Sequence, residues 1–216
     1  MKKLKIIYED KYFIVVDKPA NQLTIATAKN ESNTLYKEVS AYVKKQYPKN
    51  KIFIVHRLDK QTSGLIIFAK TPQIQKMLQN SWNNVYREYV AITEGIPSHQ
   101  KEQLKNYLVE DKNLYTYCTN NQRGAQLAIT NYEIIKSNLK NAMLKINILT
   151  GKKNQIRVQL ANIGCPIIGD KKYGAKNNQM HRLGLHANKL IFFHPITNEK
   201  LNLEAKLPIE FTKIIK

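Results

Sequence analysis

The chain has 216 residues, the length of one ordinary domain or two small ones, and its 43% hydrophobic and 24% charged content excludes a wholly disordered chain or a fibrous repeat. Thirty-five Lys and Arg against 16 Asp and Glu leave a formal charge of +19 and a pI near 9.8, a balance that draws in polyanions and makes nucleic acid the natural partner. The plain alternative is a lysine-rich solubilising surface. Cys118 and Cys165 stand far apart without a CxxC, which argues against a disulfide framework and for a reducing cytoplasm. The opening MKKLKIIYEDKYF lacks the apolar core of a signal peptide, and no apolar run is long enough to span a bilayer, so no membrane segment is expected.

Leu4–Tyr8 and Tyr12–Val16 read as a strand pair around Glu9-Asp10-Lys11. Lys18-Pro19-Ala20-Asn21 breaks that pattern. Asn33-Thr34 caps a helix running to about Tyr47, with Leu35, Val39, Tyr42 and Val43 on one face and Pro48 as its stop. Ile52–Val55 is a predicted strand, Thr62-Ser63-Gly64 a turn, and Leu65–Lys70 a further strand. Thr71-Pro72 starts a helix whose apolar face is Ile74, Met77, Leu78 and Trp82. Val85–Thr93, Leu114–Thr119, Ala125–Ile135 and Ala142–Leu149 favour extended structure. Gln155–Ile163 reads as a helix stopped by Gly164, and Leu183–Phe193 and Leu201–Leu203 as late strands. Residues 96–111 show the least pattern and are expected to run over the surface. Strands broken irregularly by a few helices indicate an α+β fold with a mostly antiparallel, mixed central sheet, and no linker divides residues 1–216.

The positive charge is spread evenly: 18 basic against 9 acidic residues in 1–108, and 17 against 7 in 109–216. Thirty of the cations are Lys and only five are Arg, namely Arg57, Arg87, Arg123, Arg157 and Arg182. Where geometry matters, the planar guanidinium does what an ammonium cannot, so each Arg marks a candidate position.

Three polar clusters stand out. His56-Arg57-Leu58-Asp59-Lys60-Gln61-Thr62-Ser63-Gly64 lies between two apolar strands, and Asp59 there is either a nucleophile or general base, or a turn residue bonding its own backbone. Thr150-Gly151-Lys152-Lys153-Asn154-Gln155-Ile156-Arg157 lies at a strand-to-helix junction and offers either a phosphate site or a solvated helix start. Arg157 is flanked by apolar residues, so it points inward and needs a carboxylate; Asp59 and Asp170 are the candidates. His181, His186 and His194 have spacings that match no common zinc pattern, and no glycine-rich nucleotide motif occurs.

Taken in order, these clusters resemble the RluA-type RNA pseudouridine synthases over nearly the whole chain. The resemblance rests on Tyr8-Glu9-Asp10 with Val15 to Ala20, on His56-Arg57-Leu58-Asp59 with Thr62-Ser63-Gly64, and on Arg87-Glu88-Tyr89-Val90-Ala91 with Gly95. It continues through Gln155-Ile156-Arg157, Gly164-Cys165-Pro166-Ile167, Gly169-Asp170 and Tyr173-Gly174 to Leu185-His186-Ala187 and His194-Pro195. It implies the pseudouridine synthase fold, flanked by helices, with Asp59 catalytic. It places Tyr89 against the target uracil and pairs Arg157 with Asp59. Arg57 would displace the target nucleotide, and His56, Thr62 and Leu185 would line the site. Lys18, Lys152, Lys153, Asn154 and Arg182 are candidate RNA contacts.

The sequence departs from the family pattern at Lys152-Lys153-Asn154, where Arg-x-His is common, at Gln159, where His is common, and at Asn21, where Gly is common. The family's frequent N-terminal RNA-binding module is not expected, since the pattern starts near residue 4. The implied partner is ribosomal or transfer RNA, with neither DNA nor membrane; a monomer in the cytoplasm is expected. The isomerisation demands no cofactor or metal. The rivals are a non-catalytic RNA-binding or RNA-folding protein on the same scaffold, and a glycoside hydrolase, which needs a second carboxyl that nothing near Asp59 suggests.

Overall fold

A computed structural model describes residues 4–26 and 33–215. The chain is α+β and packs as two compact units that interleave in sequence: residues 1–85 with 187–206, and residues 86–186 with 207–216.

In the first unit, β1 (Ile6–Glu9), β2 (Phe13–Lys18) and β4 (Ser63–Ala69) pair antiparallel in that order. The short β3 (Phe53–Ile54) also pairs with β4, and β10 (Leu185–Phe193), which enters this unit at Ala187, pairs antiparallel with β11 (Lys200–Glu204). Every residue of β4 is buried, so this strand is covered on both faces. Leu65, Ile67 and Ala69 pack with Ile74 and Leu78 of α2 (Pro72–Asn80). On the other face, Phe68 meets the edge of Tyr36 in α1 (Leu35–Gln46). Both helices start as the sequence predicts. The Thr34 and Thr71 side chains accept hydrogen bonds from the Lys37 and Ile74 N–H groups, and Pro72 occupies the first turn. A 3-10 turn, Trp82–Asn84, follows α2.

Asp10 ties the β1–β2 turn to the end of β10. Its carboxylate accepts from the Tyr12 and Phe13 N–H groups, from Tyr8 Oη and from His194 Nε2 at 2.8 Å. His194 Nδ1 accepts from the Ile196 and Thr197 N–H groups, which assigns the proton to Nε2. Burial alone raises the Asp10 carboxyl; the bonds from Phe13, His194, Tyr12 and Tyr8 outweigh it and hold the group below its ordinary 3.8.

In the second unit, β5 (Tyr86–Glu94), β9 (Asn141–Ile148), β8 (Gln126–Ser137), β6 (Lys101–Glu110) and β7 (Thr116–Thr119) form an antiparallel run in that spatial order. Ala91, Ala142, Leu144, Ile146 and Ile148 face α3 (Gln155–Asn162) through Ile156 and Leu160. Val90, Ile92 and Met143 on the other face pack with Phe211 of α4 (Ile209–Ile214).

Three sequence expectations fail here. Ser63 and Gly64, read as part of a turn, are the first two residues of β4. Residues 96–111 are not an unpatterned excursion: Lys101–Glu110 is β6, hydrogen-bonded on both sides. Only Leu104 and Leu108 are buried in it, a spacing of four that hides the two-residue period of a strand. The strand expected from Leu114 begins at Thr116, because Asp111 Oδ1 accepts from the Asn113 and Tyr115 N–H groups and Leu114 turns left-handed at φ +61°. The chain's last helix, α4, is not anticipated by the sequence reading either. No helix among the described residues is long and apolar enough to cross a membrane.

Gly64 lies inside β4 at φ +115°, and a Cβ there would sit 2.2 Å from the Ala187 carbonyl oxygen. The obstacle is Ala187 backbone, which cannot rotate aside, so Gly64→Ala is expected to cost about 2–5 kcal/mol, combining a strained φ with an overpacked contact; a melting temperature within one degree of wild type would refute the close approach. A lowered folded-state carboxyl stabilises the fold above the unfolded pKa, and that stability is lost as pH falls through the folded value. Denaturant titrations of Asp10→Asn should therefore show lower stability at neutral pH and a shallower decline below pH 3.8 than wild type.

Candidate active site

The loop 55–62 between β3 and β4 is pinned along its main chain. Leu58 is buried, and its carbonyl accepts from the buried Thr24 hydroxyl at 2.9 Å. The Lys60 carbonyl accepts from Lys18 Nζ at 3.0 Å, and the Thr62 N–H closes a turn on the Asp59 carbonyl at 3.1 Å. Thr62 is buried, Asp59 half-buried and Arg57 exposed. The turn's closing bond is thus a main-chain bond to Asp59, and Arg57 and Asp59 stand on a frame held on either side.

His56 occupies the point where β3 ends after two residues. Its Nε2 accepts the Ile67 N–H of β4 at 3.1 Å, and its ring stacks on Trp82 at 4.3 Å between centroids. The imidazole therefore takes the hydrogen bond that a longer β3 would have made and is neutral at Nε2. This role, and the Trp82 stack, are invisible in the sequence; Trp82 reads there only as part of an apolar helix face.

Lys18 is expected on the RNA-contacting surface, and the structure corrects this. It is fully buried, and its ammonium donates to the Pro19, Gln22 and Lys60 carbonyls at 3.0, 2.8 and 3.0 Å. Desolvating an ammonium is costly, and these carbonyls stand in for its water shell.

In the second unit, Tyr89 projects from β5 onto the face that α3 covers. It is paired in register with Ile146 and packed on the cluster that includes the buried Leu185. Arg157 points inward from α3 and is 5% exposed. Its Nε and Nη2 donate to Asp170 Oδ2 and Oδ1, both at 2.7 Å, and its Nη1 donates to Asn154 Oδ1 at 2.9 Å. Its guanidinium lies 5.0 Å from the centre of the Tyr173 ring. Of the two candidate carboxylates, Asp170 makes this two-pronged pair, with the planar match that Lys cannot supply.

Asn154 is likewise corrected as an RNA contact. It is buried in a left-handed conformation at φ +55°, and it orients Arg157 while its amide reaches Thr116. Lys153 remains exposed in an ion pair with Glu110, and Lys152 is partly exposed. Arg182 is half-buried; its Nε donates to the Leu183 carbonyl and its guanidinium lies over Phe211 at 5.4 Å.

A buried amide network seats α3. Gln155 Nε2 donates to the Thr130 hydroxyl, which donates to Gln159 Oε1 at 2.7 Å; Gln159 Nε2 in turn reaches the Leu104 and Ala128 carbonyls and Asn106. Thr150 Oγ1 and the Lys152 N–H both donate to Gln155 Oε1. Gln159, a departure from the family pattern, is thus a fully satisfied core residue. The signal for the network is the i, i+4 spacing of two glutamines on one helix, which reads as polar surface. Among the described residues no group of three or more His, Cys, Asp or Glu side chains is placed to hold a metal.

A family model described as RNA pseudouridylate synthase matches residues 12–162. The RNA pseudouridine synthase YhcT of Bacillus subtilis is 32% identical, with 99% of this chain and 72% of that one covered. The ribosomal large subunit pseudouridine synthase C of Rickettsia prowazekii is 35% identical, with 97% and 70% covered. Among solved structures, human RNA Pseudouridylate Synthase Domain Containing 4 has a TM-score of 0.81 at 26% identity, covering 96% of this chain and 90% of that one. About 70% of the chain and the motifs around Asp59 and Tyr89 fall within the family match, and the chain belongs to the RluA-type RNA pseudouridine synthases, isomerases that act on RNA.

Proposed function

We propose that Asp59 carries the isomerisation and that the substrate is a uridine in structured ribosomal RNA, with transfer RNA as the second choice. The braced loop supports the first part most directly: a carboxylate, half-exposed, on a main chain held by Thr24, Lys18 and its own turn. A reacting group held in one geometry does not have to be ordered again at each turnover. The names of the Rickettsia relatives favour ribosomal RNA.

The reaction breaks the glycosidic N–C bond, turns the uracil and joins its C5 to the same sugar carbon. The C5 proton is lost and N1 gains one, so atoms balance without a cosubstrate. A stacked uridine must first leave its helix or loop, at a cost of a few kcal/mol, and phosphate contacts to a cationic surface offset that cost. In this reading Arg57, exposed beside Asp59, takes the place of the displaced nucleotide, and the Tyr89 ring with Leu185 offers the apolar surface that retains the detached uracil. Arg157, locked by Asp170, is a fixed positive charge rather than a mobile one.

Asp59→Asn is expected to leave pseudouridine formation below about one per cent of wild type while RNA affinity stays within a few-fold, because contacts to the phosphates, not the reacting carboxylate, supply most of the binding. Modification maps with and without the variant check this, and turnover near the wild-type rate would refute it. For the Arg157–Asp170 pair, Arg157→Ala or Asp170→Asn alone strands a buried partner and should cost about 3–5 kcal/mol. Arg157→Lys should recover only part of that, for lack of the second prong. Chemical denaturation of the single variants and the double variant gives the coupling; additive losses would refute the pair.

A further inference from the structure

Between Glu38 and Asp59 the chain carries no acidic residue. In that stretch the end of α1 and the turn after it set Lys44, Lys45, Lys49 and Lys51, all exposed, around Tyr47, which is 54% exposed. The turn has a fixed frame. The Tyr47 N–H donates to the Val43 carbonyl, the Asn50 N–H to the Tyr47 carbonyl, and the Asn50 side-chain amide to Val43 O at 3.0 Å. Val43 and Ile52, both buried, anchor its two ends. None of the four lysines makes an ion pair with a described residue.

Lys44 and Lys45 have an ordinary explanation, since cations in the last turn of a helix interact favourably with its dipole. That effect fades beyond the terminal turn. It accounts neither for Lys49 and Lys51 nor for a tyrosine left in water among them. Unpaired cations around an exposed aromatic ring, with no carboxylate nearby in sequence, suit a polyanion that also offers flat apolar faces.

We propose that this cluster is a second RNA contact, separate from the residues that receive the target uridine. Its lysines take the backbone phosphates of a flanking segment, and Tyr47 stacks on an unpaired base. Lys51 and Asp59 stand eight positions apart, a backbone reach of at most about 29 Å, so one folded RNA can engage both. The inference rests on the proposed function for the identity of that RNA, but its test is a binding measurement that does not need turnover.

The quadruple variant Lys44→Gln, Lys45→Gln, Lys49→Gln, Lys51→Gln is compared with the matching Lys→Arg set and with Tyr47→Ala. Affinity of each full chain for a ribosomal RNA transcript is measured from low to moderate salt. Each lost phosphate contact removes about 0.7–0.9 from the slope of log affinity against log salt, so removing four should lower it by roughly 3–4 in the Gln set, while the Arg set keeps it. Tyr47→Ala should weaken binding by about 5–100-fold with the slope unchanged, the loss of one stacked base. On the shortest hairpin that wild type still modifies, turnover at saturation should be equal in all variants. A Gln set with the wild-type slope would overturn the proposal, as would loss of binding to phosphatidylserine vesicles with RNA binding intact. A chain that binds the transcript through this cluster yet forms no pseudouridine would refute the proposed function and leave this inference standing.

Discussion

The fully buried ammonium of Lys18 is the interaction on which the Asp59 loop depends. A lysine gives up its hydration only where other acceptors replace it, and here the replacements are carbonyls at Pro19, Gln22 and Lys60, from chain segments some forty residues apart. One cation therefore fastens the end of β2 to the residue following Asp59. The same logic recurs nearby: the Thr24 hydroxyl holds the Leu58 carbonyl, and the bare backbone of Gly64 lets β4 approach Ala187. The main chain on both sides of Asp59 is thereby fixed.

The second unit solves a related problem with a guanidinium. Arg157 is nearly inaccessible, and Asp170, Asn154 and the Tyr173 ring enclose it. A buried ion pair is weak evidence for stability, since well-packed apolar residues often do as well. Its value here is orientation, and the orientation extends outward. Gln155 and Gln159 bolt the same helix to β8 and β6 through Thr130, so the helix that carries Arg157 is fixed by polar bonds on one face and by Ile156 and Leu160 on another.

Much of this was legible in the residues. Both N-caps, the buried β4 and the inward-pointing Arg157 follow from local pattern and from the economy of arginine in a lysine-rich chain. Lys18 and Asn154 misled for a common reason: composition assigns polar side chains to the surface, and only tertiary contacts reveal a buried one that is satisfied. β6 misled because its two buried leucines stand four apart, and the bond from Ile67 to His56 could not be read because a side chain completing a backbone ladder leaves no periodic trace. Gln159 shows the same limit from the other side, as a departure from the family pattern that turns out to be a core residue with its hydrogen bonds filled.

The central claim is that the chain retains the uracil it detaches. The most direct measurement incubates the full chain with an unmodified ribosomal RNA transcript and quantifies pseudouridine and free uracil in the same sample. The account predicts pseudouridine at defined positions, no free uracil above background, and neither product with Asp59→Asn. Free uracil accumulating in proportion to time, or pseudouridine forming undiminished without the Asp59 carboxylate, would contradict it.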